Sequence, residues 1–500
     1  MTNSRQLFKA TAVLGGTQII VTVIGLARNK MLAVMLGPAG VGLAALYFSI
    51  TTVVGTLTGF GLGNSGVREI AEANKAGDRC RVARVATVVL RFAIFSNIIG
   101  ALLVCVFQRA LSQATFGDTR HAGGVALMGL VILFNNVANA QTCVLQGLQR
   151  LKELVNCQIF GALLGTVSSV LIVFFMGERG VAWYLVAFAV FSLIPAWWYL
   201  RRVQFPPARV NWARSMEEIR KLFRLGLGVM SSVLLASGVL YITRIIIIRK
   251  LGLAASGQYH AAYTLTAFYV GFILRAISTD FFPRLSGLSN EHPAANRLMN
   301  EQMEIGLLLA LPPLLATLVF APWVLRILYT GEFVAAAAIV RWQVIGIFFG
   351  MVSWPLWHLQ LAKGLGLLLL ITETLFSLWQ VFLYWLCINQ WGLAGAGFAY
   401  LLACVAHAIG LYFLCRKLSG FACSRRVLLV SIPGLILLLG AFAAQQILPA
   451  AYGLITGLIL CLVGTVASVY GLQKILGVPL KTLLPRRFAA NPFTTVNNVD

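Results

Sequence analysis

Basic residues stand in this chain where an apolar environment would not tolerate them without a purpose. Arg244 and Arg275 fall inside long apolar runs, Arg28, Lys30 and Arg249 sit at the ends of such runs, and Arg68 follows another. A charged side chain at the centre of a bilayer costs about 2.5–3.5 kcal/mol even on the mildest scales, so each is expected to face a cavity or a partner. Guanidinium and ammonium groups gathered with few acids around them suit an anion, phosphate above all, because the flat guanidinium fork matches two phosphate oxygens at once. Neutral polar faces accompany them. Asn135, Asn139, Thr142 and Gln146 fall at i, i+4, i+7 and i+11, and Gln18, Thr22, Gly25 and Asn29 repeat that spacing beside Arg28. Ser237, Tyr241 and Arg244 form a third set, and Thr264, Gly271, Arg275 and Ser278 a fourth. Hydrogen bonding between helices is the competing account for the neutral residues, and snorkelling to lipid headgroups for Arg244 and Arg249.

Few acids oppose these cations. Glu373 is the clearest carboxylate within an apolar run; it reads either as a proton-titrating coupling group or as the structural partner of Lys363 or an arginine. Asp280 is spaced to pair with Arg284 at i+4. His260 and His407 read as packing or hydrogen-bonding residues, and Trp354, Trp357 and His358 as an interfacial belt. The nine cysteines are scattered without a CxxC pair, which points to neither a disulfide framework nor a metal site. Gly61, Gly63 and Gly66 satisfy GxGxxG but end an apolar run instead of joining a strand to a helix, which argues against a dinucleotide site. There is no GxxxxGK[ST] to cradle a nucleotide. The residues therefore imply no cofactor, no metal and no catalytic set.

The elements that must position these groups follow from composition. The chain is 59% hydrophobic and only 11% charged, with mean hydropathy +0.86. That much apolar surface requires a bilayer as solvent. Runs of about 20 apolar residues, the length of one crossing, succeed one another from 10–28 to 453–472 and predict about fourteen transmembrane helices. Stretches such as 365–370 lack the alternation of a barrel strand, so the fold class is an all-α polytopic membrane protein. With the N-terminus inside, the inner segments hold 28 of the 39 basic residues, which places both termini in the cytoplasm. Most of the net charge of +24 is then topological, and nucleic-acid binding is not implied. The N-terminal segment lacks a convincing cleavage site and reads as a retained span.

Glycines reveal the organisation. The five-residue glycine spacing of GPAGVG at 37–42 returns at 252–257 and 392–397 and in a weaker form at 177, always on the outer side, and both 37 to 252 and 177 to 392 are offsets of 215 residues. An offset of that size predicts a duplication of six helices, with the two halves related by an axis along the membrane normal and a substrate site between them. The expected units are an N-lobe at 1–205 (spans 1 to 6), a C-lobe at 206–416 (spans 7 to 12), two additional spans at 417–475, and a cytoplasmic tail at 476–500.

Several longer stretches then carry a family resemblance. KMLAVMLGPAGVGLAALYFS (30–49), FFPRLSGL (281–288), GEFVAAAAIVRWQVIGIFFG (331–350), LAKG (361–364) and GLAGAGFAYLLACVAHAIGLYF (392–413) resemble the O-antigen and enterobacterial common antigen flippases. These belong to the polysaccharide transporter branch of the multidrug/oligosaccharidyl-lipid/polysaccharide (MOP) exporter superfamily, and the resemblance covers about 5–416. It implies translocation of undecaprenyl-pyrophosphate-linked oligosaccharide units of a surface polysaccharide from the inner to the outer leaflet of the bacterial cytoplasmic membrane. It also implies two six-helix lobes around a cationic cavity with alternating access, and polysaccharide polymerase or chain-length machinery as partners beside membrane lipids. On that reading Arg28, Lys30, Arg68, Arg244 and Arg275 would hold the pyrophosphate, Gln18, Asn135, Asn139 and Gln146 would face the sugars, and Glu373 would be the coupling candidate. The chain departs from the twelve-helix pattern by adding about 428–472. A drug or cation antiporter of the same superfamily is the alternative, but it would be expected to carry buried carboxylates where this chain has arginines. A membrane glycosyltransferase, polymerase or ligase is disfavoured by outer loops too short for a catalytic loop or an Asp-rich metal motif.

Overall fold

The computed structural model describes residues 2–203 and 212–476. Within them the side chains of 2–15, 212–229 and 275–280 and a few other positions lie outside the description, those of Arg275 and Asp280 included. The described elements are helices, with no strand among them. In a bilayer each backbone N–H and C=O must be satisfied within the protein, and a helix does this inside its own segment.

The helix Thr2–Gly59 is broken at Gly37, where φ is 62°, and Gly366–Ser419 is broken at Gly392, where φ is 57°. Counting each half separately gives fourteen long helices: span 1 (2–36), span 2 (38–59), span 3 (Arg79–Val106), span 4 (Ala122–Gly147), span 5 (Leu151–Met176), span 6 (Val181–Arg201), span 7 (Trp212–Leu251), span 8 (Leu253–Gly287), span 9 (His292–Leu328), span 10 (Ala337–Ala362), span 11 (366–391), span 12 (393–419), span 13 (Arg425–Ile447) and span 14 (Ala450–Leu476). Several outrun the expected crossing. Span 9 has 37 residues, about 55 Å at ~1.5 Å per residue, against a hydrocarbon core of ~30 Å. Hydropathy alone does not reveal these extensions, because helix continues past the membrane once its residues find protein neighbours.

The four glycines that share the 215-residue offset all take positive φ: 62° at Gly37, 58° at Gly177, 87° at Gly252 and 57° at Gly392. Each reverses the chain between consecutive spans at one end of the bundle, called here the Gly37 end. At Gly37 the following Pro38 supplies the fixed φ suited to a helix start. Two short helices join the spans. Leu62–Lys75 buries Ile70 and Ala73 and exposes Arg68 and Lys75, and Gln108–Phe116 follows span 3 at the Gly37 end. The GxGxxG segment is simply the turn into the first of these, with φ 48° at Phe60 and 67° at Gly61.

The buried cores separate along the sequence. Two clusters are built from residues between Leu32 and Leu200, and the largest from residues between Val239 and Ala441, joined only by Ala33 and Val41 from the first part. Spans 1 and 2 meet spans 7 and 8 across the middle, while spans 13 and 14 pack on span 9 and on each other. Span 14 docks through glycines seven residues apart. A Cβ on Gly457, Gly464 or Gly471 would come within 2.8, 2.4 or 3.0 Å of Val319, Leu315 or Leu308 of span 9. Small residues at that repeat let two helices approach closely in lipid.

Candidate substrate cavity

Arg244 enters the protein interior instead of snorkelling. It is 1% exposed, and its Nη1 donates to the Ala45 carbonyl at 2.7 Å and to Ser49 Oγ, both on span 2. Its Nη2 lies 2.9 Å from His260 Nδ1 on span 8. The guanidinium thus ties span 7 to spans 2 and 8 through neutral acceptors alone. Arg28 of span 1 stacks over the Phe188 ring at 4.4 Å from the centroid, and its buried Nε has no hydrogen-bond partner. Neither arginine meets a carboxylate: the described ion pairs are Arg68 with Glu72, Arg81 with Glu69 and Arg150 with Glu153, all elsewhere. One buried and one half-buried cation without described counterions leave a positive field in a low-dielectric region, where an anion is attracted most strongly.

A cavity of about 230 Å³ opens beside them, lined by Arg28, Asn29, Asn135, His260, Thr264 and Tyr329 among apolar neighbours. A second, of about 350 Å³, shares Phe48 and Asn135 with the first and continues away from the Gly37 end along Thr51, Thr52, Thr56, Gly59, Gly63 and Asn139. Together they trace a path from a cationic pocket to a neutral polar wall. In that wall Asn136 donates to the Gly55 carbonyl at 3.1 Å and to Asn97 Oδ1 at 2.6 Å, and Thr58 donates to the same Asn97 oxygen at 2.7 Å. Asn97 is fully buried, so this network fixes spans 2, 3 and 4 relative to one another.

The Gly37 end is closed. A Cβ on Gly42 would lie 2.2 Å from the Leu253 carbonyl, and one on Gly257 only 1.9 Å from the Pro38 carbonyl. The backbones of spans 2 and 8 therefore touch through the two glycines that open them, 215 residues apart. Two cations flank this contact. Lys30 of span 1 donates to the Arg326 carbonyl at 3.1 Å and to the Tyr329 carbonyl, at the end of span 9. Arg249 of span 7 donates to the Gln113 and Ala114 carbonyls at 2.5 and 2.6 Å, at the end of the short helix after span 3. Each cation caps the carbonyl end of a helix from the opposite group of spans, where the helix dipole favours positive charge. Tyr241 Oη and Thr115 Oγ1 add a contact of 2.5 Å.

Of the residues singled out from the sequence, the structure gathers Arg28, Asn135 and Asn139 on the cavity walls and Arg244 directly behind one of them. Lys30 is engaged in its helix cap. Arg68 is exposed on the Leu62–Lys75 helix, 2.9 Å from Glu72 at i+4, whose hydrogen bond raises the arginine's pKa further. Gln18 and Gln146 are exposed and line neither cavity. Glu373 accepts from Trp357 Nε1 at 2.7 Å, whereas Lys363 is turned to His292 Nε2 at 2.9 Å. Trp357 is thus bonded within the protein, and His358 is only 8% exposed. His260, Thr51, Thr52 and Thr56 line the path without having been singled out as site residues. The hydroxyls crowding ITTVVGTLTG at 50–59 were the available signal for the threonines.

Comparison with known proteins now bears on the site. The model of the family described as polysaccharide biosynthesis protein matches residues 31–338, more than half of the chain. The chain belongs to that family. Among curated relatives of this family member, the lipid III flippases of Escherichia coli (strain K12) and Shigella flexneri are each 26% identical over 431 residues, covering 82% of this chain and 99% of theirs. Its fold matches an inward-facing multidrug resistance MATE family transporter of the MOP superfamily at TM-score 0.64 and 19% identity, over 82% of this chain and 98% of that one. It matches the lipid II flippase MurJ in an inward closed conformation at TM-score 0.68 and 12% identity, over 93% of this chain and 99% of that one. These last two likenesses establish the MOP-type fold.

Proposed function

We propose that this polysaccharide biosynthesis family member is a flippase for polyprenyl-pyrophosphate-linked oligosaccharides of a bacterial surface polysaccharide. The observation that carries the reading is a pair of arginines, the half-buried Arg28 and the fully buried Arg244, set at a cavity with no carboxylate lining it among the described residues. A pyrophosphate supplies the missing negative charge, Arg28 holding it directly and Arg244 acting from behind the wall. Sugars of the repeat unit lie against Asn135, Asn139 and the threonines of span 2, and the polyprenyl tail stays in lipid.

In this reading 1–205 and 206–416 act as two lobes that rock about the cavity, with 417–475 as an added pair of helices and 476–500 as a tail. Both termini face the cytoplasm of an inner-membrane protein, and the Gly37 end faces outward. The contacts among Gly42, Gly257, Lys30 and Arg249 form the outer gate, which opens as the inner side closes. Arg68 and Arg275 belong to the inner approach, Gln18 and Gln146 to the wider polar surface met by the sugars, and Glu373 to coupling by proton uptake. Lys30 reaches the pyrophosphate only when its cap on span 9 breaks, so it acts late in the cycle. Polymerase or chain-length proteins would receive the product outside. A drug or cation antiporter is the weaker reading, since a cavity edged by unpaired guanidinium repels its cargo.

The test is translocation in proteoliposomes, with a fluorescent undecaprenyl-pyrophosphate oligosaccharide in one assay and an organic cation in the other. Movement of the lipid-linked sugar alone is expected. Movement of the cation alone overturns the proposal. For Glu373, unchanged flipping by Glu373→Gln, with an unchanged response to a collapsed proton gradient, removes the coupling role.

A further inference from the structure

His260 is held in one tautomer by its neighbour. The Arg244 guanidinium is a donor only, so His260 Nδ1, 2.9 Å from Arg244 Nη2, must accept. A proton on Nδ1 would set two N–H groups head to head. Arg244 cannot turn aside, because its other contacts with the Ala45 carbonyl and Ser49 Oγ fix the plane of the fork. The ring is therefore neutral and carries its hydrogen on Nε2. That nitrogen has no hydrogen-bond partner among the described residues, while His260 itself lines the 230 Å³ cavity together with Arg28. Tyr259, the preceding residue, does not compete for it: it is buried and directs its hydroxyl to Tyr384 at 3.3 Å.

We infer that His260 is a substrate ligand, a neutral Nε2–H donor that Arg244 aims at a phosphoryl oxygen of the anion held beside Arg28. Arg244 then has a double task, supplying charge from behind the wall and orienting the donor in front of it. A neutral donor adds direction without placing a third positive charge in a cavity that must be emptied on each cycle. The inference rests on the anion-binding reading of the cavity given above, and it gives a substrate to a residue that the sequence alone reads as packing or hydrogen-bonding within the protein.

Two amides separate the ring's functions. An asparagine oxygen can occupy the place of Nδ1 and keep Arg244 satisfied while offering nothing at the Nε2 position. A glutamine amide can place an N–H near Nε2. Binding of undecaprenyl pyrophosphate to purified protein in nanodiscs, with inorganic pyrophosphate as competitor, is measured for wild type, H260N and H260Q, with thermal melting as the check on folding. H260N is expected to bind about 10-fold or more weakly than H260Q, the loss of one hydrogen bond to a charged acceptor. H260N binding as well as or better than H260Q overturns the inference, since His260 then only braces Arg244. If either amide variant fails to fold, H260A is assayed with added imidazole. Recovery by imidazole but not by 1-methylimidazole, which can accept from Arg244 but has no N–H to donate, supports the donor role; equal recovery by both, or none, overturns it. Failure of wild type itself to bind either probe would instead refute the anion-binding reading.

Discussion

Replacing Gly257 with valine puts a side chain where the backbone of span 2 now lies. The new Cβ would start 1.9 Å from the Pro38 carbonyl oxygen, and ordinary contact begins near 3.4 Å, so spans 2 and 8 must part by about 1.5 Å at the Gly37 end. Neither partner is a flexible side-chain tip: the clash is with a carbonyl and with the backbone N of Gly42. Overpacking of this kind costs ~1–3 kcal/mol. Charged against the closed state of the proposed outer gate, it shifts the closed-to-open ratio roughly 5- to 150-fold. The assay uses a cysteine at Thr115, which closure holds 2.5 Å from Tyr241, in a background stripped of native cysteines. Labelling by a membrane-impermeant maleimide added to intact cells is expected to accelerate by that factor in G257V, while flipping falls. Gly271→Ala on the same helix, with nothing within 4 Å of its Cβ, serves as the control. Wild-type labelling and wild-type transport in G257V at matched protein level would refute the argument that this glycine contact is the gate.

Three further perturbations follow from the same geometry. Removing both helix caps with Lys30→Met and Arg249→Met should weaken closure at the Gly37 end by about 0.6–2 kcal/mol in sum, from ~0.3–1 kcal/mol per cation at a helix end, read as faster Thr115→Cys labelling with both single variants intermediate. Arg244→Lys keeps the charge but cannot span Ala45, Ser49 and His260 together, so probe binding should fall about 10-fold or more, by the ~1.5–3 kcal/mol of a lost charge-assisted bond; binding equal to wild type would count against the fixed fork. Gly464→Val sets a branched side chain 2.4 Å or less from Leu315 of span 9 and should lower the melting temperature through a loss of ~1–3 kcal/mol; accompanying loss of flipping would show that spans 13 and 14 serve transport.

Local pattern and composition determined much of this protein. Mean hydropathy of +0.86 and runs of crossing length without alternation require a helical bundle in lipid, because only helices and closed barrels satisfy the backbone there and barrel strands alternate. The 215-residue offset marked Gly37, Gly177, Gly252 and Gly392, and all four take the left-handed φ that only glycine adopts without strain. The i, i+4 spacing of Asn135 and Asn139 placed them on one face, and both line the cavity path. Spacing, however, tells which face of a helix a residue occupies and not what stands opposite. Arg244 finds Ala45 and Ser49 at separations of 199 and 195 residues, Lys30 finds Tyr329 at 299, and Arg249 finds Gln113 at 136. Only the packing of distant spans decided that Lys30 and Arg249 would spend their donors on helix ends, that Glu373 would face Trp357, and that a histidine with the look of a packing residue would be locked by an arginine to face the cavity. Charge and period belong to the chain; the partner that uses up a hydrogen bond, or leaves one open, belongs to the fold.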